Sequence, residues 1–245
     1  MNTMHGTYNL TLVLASYAIS VFGSYTALQL AGQITNLRDP VNRFWLLAAT
    51  VALGGGAIWS MHFIAMLAYV MPMPVTYDIT LTVLSLVVAV AMTGVGFAMI
   101  CRKPTLSLST LLGAGFIMGI GVGAMHYTGM AMHIEGTVHH NPVIVAHSVV
   151  IAIVASTAAL WISFYLRKGW QKFISAFVMG AAVCGMHYTA MTGYSFTHVP
   201  STVDYLDSVI FSRDLAGYII VVTFGVLTLA LVAVFTKELN KASNI

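Results

Sequence analysis

Seven continuous apolar segments constrain the fold of this 245-residue chain more than any other feature of its sequence. Each is about 20 residues or longer, which is the length that an α-helix needs to cross the hydrocarbon core of a bilayer. The chain is only 7% charged, whereas soluble domains carry about 25% charged residues. Apolar and polar residues do not alternate along the segments, as they would in the strands of a membrane β-barrel, so a β-barrel is excluded. We therefore predict an all-α integral membrane protein, a seven-helix transmembrane bundle. The predicted spans 1 to 7 cover residues of about 8–34, 44–70, 79–100, 106–132, 142–166, 173–194 and 215–236.

Basic residues define the predicted orientation of the bundle. Of the ten lysines and arginines, all except Arg213 fall at the same end of the predicted spans. Cytoplasmic loops of membrane proteins carry the excess of such residues, so we expect the N-terminus outside and the C-terminus in the cytoplasm. Residues 237–245 are predicted to be a polar cytoplasmic tail, whose abrupt end suits a truncation before an output domain.

One motif occurs three times, near the outer ends of spans 2, 4 and 6. It reads Met61-His62-Phe63-Ile64, Met125-His126-Tyr127-Thr128 and Met186-His187-Tyr188-Thr189. A second methionine follows each histidine by four residues, as Met66, Met130 and Met191. On a helix this spacing places both side chains on one face, about 6 Å apart along the axis. Imidazole and thioether together suit copper, and the thioether favours the reduced ion.

The motif belongs to a predicted two-helix repeat, with copies at residues of about 8–70, 77–133 and 141–194. Each copy opens with Asn or Asp and has a serine seven residues later; these residues are Asn9, Asp78, Asn141, Ser16, Ser85 and Ser148. Span 7 lies outside the repeat and is predicted to connect the bundle to the cytoplasmic side. Glycines in spans 2, 4 and 6 permit close helix packing and indicate that these even spans form an inner ring. Parallel copies related by an axis along the membrane normal would bring the three histidines together at similar depth.

Three histidines at one depth predict a functional site, because ionisable groups inside a membrane are expensive to bury. We expect His62, His126, His187, Met66, Met130 and Met191 to hold one or two copper ions. His133, seven residues beyond His126, and His5, just before span 1, are candidates to extend the site. Side chains expected to orient the imidazoles are Tyr127, Thr128, Tyr188, Thr189, Asn9, Asp78 and Asn141.

The thrice-repeated Met-His-Tyr-Thr motif, the glycines before it and the run Ser24-Tyr25-Thr26-Ala27-Leu28 resemble the MHYT domain, a bacterial membrane sensor module. The resemblance implies a multi-pass protein of the bacterial inner membrane that binds copper through the motif histidines and methionines. It also implies that the protein senses a diatomic gas, O2, NO or CO, or a redox state. Members of the family are often fused to a cytoplasmic diguanylate cyclase or phosphodiesterase for cyclic-di-GMP, and such an output, fused or separate, is the expected partner.

Three other functions remain open from the residues alone. A copper-dependent membrane enzyme that activates oxygen fits the metal ligands, although no catalytic residue can be assigned. A copper-handling transporter fits the Met-rich loop Met71-Pro72-Met73-Pro74. Two of the histidines would also suit haem. No nucleic-acid-binding motif is present, so we expect no nucleic-acid partner.

Overall fold

The computed structural model describes residues 6–34, 40–71, 75–102, 107–130, 132–133, 136–166, 168–198 and 209–243. In these residues, seven helices are long and apolar enough to cross a membrane, which confirms the predicted seven-helix bundle. Span 1 is α1 (Leu10–Ala31), and span 2 consists of α2 (Pro40–Thr50), a π-helical segment (Val51–Trp59) and α3 (Ser60–Ala68). Spans 3 to 7 are α4 (Ile79–Cys101), α5 (Leu108–Gly129), α6 (Pro142–Tyr165), α7 (Gly169–Thr192) and α8 (Ser212–Ser243).

Six of the spans form a closed ring in sequence order. Helix α1 packs against α7 on one side and span 2 on the other, while α4 packs between span 2 and α5, and α6 between α5 and α7. Span 2 is the most buried, since 83% of its most apolar 18-residue stretch lies inside the bundle. It also contacts α5 and α7 across the interior. Span 7 is the least buried, at 22%, and packs outside the ring against α1 and span 2.

The π-helical segment in span 2 was not predicted, since the sequence indicated one continuous helix. The backbone N–H of Ser60 donates to the carbonyl of Gly55, five residues earlier, which is the wide turn of a π-helix. The glycines of this segment allow close helix approach. A Cβ on Gly54 would lie 2.7 Å from the carbonyl oxygen of Ala89 on α4, and one on Gly56 would lie 2.8 Å from Leu227 on α8.

Polar residues begin the odd-numbered spans 1, 3 and 5. The side-chain oxygen of Asn9 accepts from the amides of Thr11 and Leu12. Asp78 and Asn141 cap α4 and α6 in the same way. These caps satisfy amides at a helix N-terminus that have no partner inside the helix. The three residues that open the predicted repeats therefore set where the helices start.

Short antiparallel strands, which were not predicted, lie at the ends of the spans that carry the motif. Strand β1 (Thr7–Tyr8) pairs with β2 (Tyr69–Val70). Strand β3 (Thr76–Asp78) pairs with β4 (Met132–His133) and with β7 (Val209–Phe211). Strand β5 (Gly136–His140) pairs with β6 (Tyr194–His198). In each of the pairs β1–β2, β3–β4 and β5–β6, the start of an odd span is joined to the end of the even span that follows it. We call this end of the bundle the strand end.

Helix α8 is longer than the sequence indicated. The predicted span ends at residue 236 and a tail follows, whereas the helix continues to Ser243. At the end opposite the strands, the ammonium of Lys237 lies 4.7 Å from the ring centroid of Trp45 in span 2. The amide of Gln33 donates to Glu238 at 2.8 Å. These contacts hold the end of α8 against spans 1 and 2.

Gly119 is expected to be essential for packing α5 against α6. A Cβ on this residue would overlap the backbone of Ile153, at 2.7 Å from its N atom. We expect Gly119→Ala to lower the free energy of unfolding by about 1–3 kcal/mol, because backbone cannot move aside as a side-chain tip can. Circular dichroism during thermal unfolding in detergent measures this loss. Gly185→Ala on α7, where a Cβ meets nothing within 4 Å, is the matched control, and equal melting of the two variants would contradict the prediction.

Candidate metal centre

The three motif histidines meet inside the bundle near its strand end. The Nδ1 atom of His62 lies 3.1 Å from Nδ1 of His187 and 3.1 Å from Nδ1 of His126. The three ring centroids are 4.9–5.1 Å apart. All three residues are 0% exposed. The repeat thus delivers one imidazole from each of α3, α5 and α7 to a common point, which we call the His triad.

An aromatic residue follows each triad histidine and packs edge-on against its ring. The pairs are His62–Phe63 at 4.8 Å, His126–Tyr127 at 4.9 Å and His187–Tyr188 at 5.0 Å between centroids. Interplanar angles of 86–89° give each pair the same geometry. Edge-on contacts of this kind restrain the orientation of a ring.

Hydrogen bonds to serines tie the motif helices to the odd spans. The Tyr127 hydroxyl lies 2.7 Å from Ser148 Oγ, and the Tyr188 hydroxyl lies 2.9 Å from Ser16 Oγ. Both serine hydroxyls donate to a carbonyl three residues earlier, so the tyrosines donate to the serines. Tyr127 and Tyr188, which were expected to orient the imidazoles, therefore have these serines as partners.

The first copy of the motif keeps this link with a different residue. Phe63 occupies the tyrosine position and has no hydroxyl. The indole N–H of Trp59 donates instead to Ser85 Oγ at 3.0 Å. Trp59 was not among the predicted site residues. Its position four residues before Phe63, on the same helical face, could have indicated this role.

We expect the Trp59–Ser85 bond to stabilise the contact between span 2 and α4. Trp59→Phe removes the indole donor but retains an aromatic ring, so the lost hydrogen bond should cost about 1 kcal/mol of unfolding free energy. A double-mutant cycle with Ser85→Ala, measured by thermal unfolding, isolates the coupling between the two side chains. Purely additive effects would show that the bond contributes nothing.

A second layer of rings covers the triad on the strand side. The residues immediately before the three helix caps pack on the motif aromatics, with centroid distances of 5.6 Å for Tyr8–Tyr188, 5.6 Å for Tyr77–Phe63 and 6.4 Å for His140–Tyr127. Burial raises the pKa of Tyr8 and Tyr77 and lowers the pKa of His140. Each shift favours the neutral side chain, so the rings that pack on the motif aromatics are uncharged.

The other predicted site residues are three methionines, His133 and His5. Met66, Met130 and Met191 are all buried, at 2–5% exposed. Met66 and Met191 lie within α3 and α7, whereas Met130 is the residue that ends α5. Their role as ligands stays a prediction. His133 lies in β4, where its backbone pairs with Thr76, and its side chain is outside the described part of the chain, as is all of His5.

The triad fits a metal ion. Three imidazole nitrogens bound tetrahedrally at about 2.0 Å from a metal lie about 3.3 Å apart, close to the 3.1 Å between His62 Nδ1 and the Nδ1 atom of each other triad histidine. Without an ion, His62 Nδ1 and its two neighbours compete for the same protons, because each neutral imidazole has one N–H. Their Nε2 atoms are buried and have no hydrogen-bond partner among the described residues. A cation that takes the three Nδ1 lone pairs would remove this competition.

Gly129 is expected to set the position of His62. A Cβ there would lie 2.6 Å from His62 Nε2 and 3.4 Å from Phe63, whereas Ala65 and Ala190 occupy the equivalent positions of the other two copies. We expect Gly129→Ala to displace the His62 ring and shift its imidazole resonances in ¹⁵N NMR of the metal-free protein.

Gly123→Ala is the control on the same helix, since a Cβ there reaches only Val149, at an ordinary 3.4 Å. Unchanged His62 resonances in Gly129→Ala would mean that the ring does not lie against this glycine. In the metal-loaded protein, displacement of the His62 ring should lower the affinity for the metal roughly 10- to 100-fold, as loss of a supporting contact commonly does.

Most of the chain matches a known protein family. The family model MHYT, described as a bacterial signalling protein N-terminal repeat, matches residues 55–114, 119–176 and 180–243. Each match pairs an even span with the odd span after it, one helix out of phase with the repeats predicted above. The third match combines α7 with α8, whereas in the six-helix ring α7 packs against α1.

Curated relatives are signalling proteins. The chain is 40% identical over 232 residues to the bifunctional diguanylate cyclase/cyclic di-GMP phosphodiesterase MucR of Pseudomonas aeruginosa, covering 92% of this chain and 33% of that protein. It is 37% identical to the cyclic di-GMP phosphodiesterase NbdA of the same organism, over 76% of this chain and 24% of NbdA. It is 32% identical to the signaling protein YkoW of Bacillus subtilis, over 79% of this chain and 25% of YkoW. The chain thus spans a third or less of the length of these relatives. No solved structure matches it.

Proposed function

Because the chain belongs to the MHYT family of bacterial signalling proteins, we propose that it is a membrane-embedded sensor whose input is a copper site at the His triad. In this proposal the protein lies in the bacterial inner membrane with the strand end and its N-terminus outside. It detects a diatomic gas, O2, NO or CO, or a redox state. It relays that signal to a cytoplasmic output that makes or degrades cyclic-di-GMP.

The observation that carries the proposal is the convergence of three buried Nδ1 atoms. Their surroundings favour a cation of low charge. The potential ligand cluster in the described residues contains His62, His126 and His187 and no carboxylate, so the ligands would not neutralise an ion held there. Burying uncompensated charge is costly, and the cost rises with the charge. A monovalent copper ion suits imidazole ligands, and thioethers from Met66, Met130 and Met191 would strengthen that preference.

Copper, when bound, would supply a coordination position for a diatomic molecule. The chain's part is to hold three imidazoles in fixed orientations and to keep water away from them. Edge-on aromatic rings restrain the imidazoles, and the layer of Tyr8, Tyr77 and His140 covers them. Excluding water strengthens the electrostatic interactions inside such a site.

The path to the output would run through span 2 and α8. Ser60, two residues before His62, lies with its Oγ 2.8 Å from Thr223 Oγ1 on α8, in a buried contact. Gly56 lets Leu227 of α8 approach the π-helical segment closely. A displacement of α3 at the triad would therefore act on α8. Such a relay works only if the gas or redox state favours one of two arrangements of these helices.

We expect purified protein loaded with Cu(I) to retain one or two copper ions by elemental analysis. His62→Ala, His126→Ala and His187→Ala should each lower copper affinity at least roughly tenfold, because each removes one of three imidazole ligands. His147→Ala is the matched control, since His147 lies in transmembrane helix α6 but is exposed and outside the triad. Wild-type protein that retains no copper after loading would overturn the proposal.

Met66→Leu, Met130→Leu and Met191→Leu test the thioethers, because leucine preserves most of the volume of methionine. Loss of affinity in these variants would assign them as ligands, and unchanged affinity would assign them to packing. Infrared detection of CO bound to the copper-loaded protein then tests the gas-binding part of the proposal.

A further inference from the structure

An apolar cavity lies one helical turn below the His triad, toward the middle of the bundle. Ile58, Val122 and Val183 line it, and each stands four residues before a triad histidine. On the α-helices α5 and α7, four residues correspond to about 6 Å along the axis and to the same face, while Ile58 lies near the end of the π-helical segment. The cavity therefore lies among the same three helices that converge at the triad.

The size and lining of this cavity determine which kind of molecule can occupy it. It offers about 20 Å³ to the centre of a water-sized sphere, and roughly 10–15 Å³ on that measure is enough for one water. A water there would need two to four polar partners. Apart from Ser156, the cavity is lined by alkyl side chains and methionines. These properties disfavour water and suit a single small apolar molecule.

The wall of the cavity on the α6 side is made of small residues. Ala152, Ala155, Ser156 and Ala159 contribute to the lining. Ala155 is only partly buried, and only 28% of the most apolar window of α6 is buried within the bundle. A gas dissolved in the bilayer would thus meet short side chains at this wall.

We propose that this cavity docks one small apolar gas molecule beside the His triad, so that a lipid-dissolved diatomic is held next to the proposed metal. The relevance of the docked gas to signalling rests on the function proposed above. The docking itself rests on the cavity alone. It therefore predicts binding by metal-free protein, with xenon as an inert probe of similar size and apolar character.

The test is methyl NMR of the full chain in detergent, metal-free and with Ile and Val methyl groups labelled, across a series of xenon pressures. We expect saturable shifts at Ile58, Val122 and Val183. Ala155→Val and Ala182→Val each add two methyl groups to lining residues and should abolish those shifts. Two positions on different helices keep the test valid if one variant does not fold.

A second cavity provides the matched control. It lies between the π-helical segment, α4 and α8, and its lining includes Gly55, Leu86 and Val226. Gly55→Ala should fit, because the added Cβ lies 3.5 Å from Leu86 and 3.7 Å from Val90, which are ordinary contacts. This variant should weaken xenon shifts at Val226 and leave those at Ile58, Val122 and Val183 unchanged.

Two outcomes would overturn the docking proposal. The first is an absence of saturable shifts at Ile58, Val122 and Val183 in wild type. The second is persistence of those shifts in folded Ala155→Val and Ala182→Val protein. If copper-loaded protein still binds CO in either case, the sensor function stands and only the docking site fails. If xenon binds as expected but copper-loaded protein binds no gas, the cavity stands and the gas-sensing function fails.

Discussion

The contact among three buried imidazoles is the constraint on which the rest of this structure depends. Nitrogen atoms 3.1 Å apart require three helices to approach one axis at one depth, and a membrane interior penalises any charge left there. The described residues around the triad meet both requirements. Glycine backbone lies where a Cβ would strike His62, and the rings that surround the triad are neutral. A bundle that spread these helices apart would leave three polar rings in an apolar medium without partners.

A hydrogen bond to a serine links each motif helix to an odd span, even in the copy where the motif differs. Two copies use a tyrosine directly after the histidine, and the first copy uses Trp59, one turn earlier. Both solutions place a donor on a serine whose own hydroxyl already donates to its helix. The serine is therefore the fixed element of the link, and the donor is free to come from either position. Conservation of a hydrogen bond rather than of a residue explains why Phe63 is tolerated.

Hydropathy and the repeated motif were enough to predict the seven spans and to place His62, His126 and His187 at a similar depth, because both follow from periodicity along the chain. The π-helical segment could not be predicted, since it depends on how Gly54 and Gly56 meet α4 and α8. Strands of two to five residues depend on pairing between segments far apart in sequence. The methionine spacing was read as an unbroken helix, but Met130 lies where α5 ends, so the same-face argument is weakest there.

The three-fold pattern is broken at one member, and that break determines how the bundle can pass on a change at the triad. His62 contacts both other triad histidines through Nδ1, and its span contains the π-helical segment. Span 2 also supplies Ser60, which bonds Thr223, and Trp45, which lies under Lys237 at the far end of α8. A π-helix has a wider turn than an α-helix, and such segments often mark functional positions. In the proposed sensor, a displacement at the triad would therefore reach α8 through span 2, whose described backbone includes a π-helical segment.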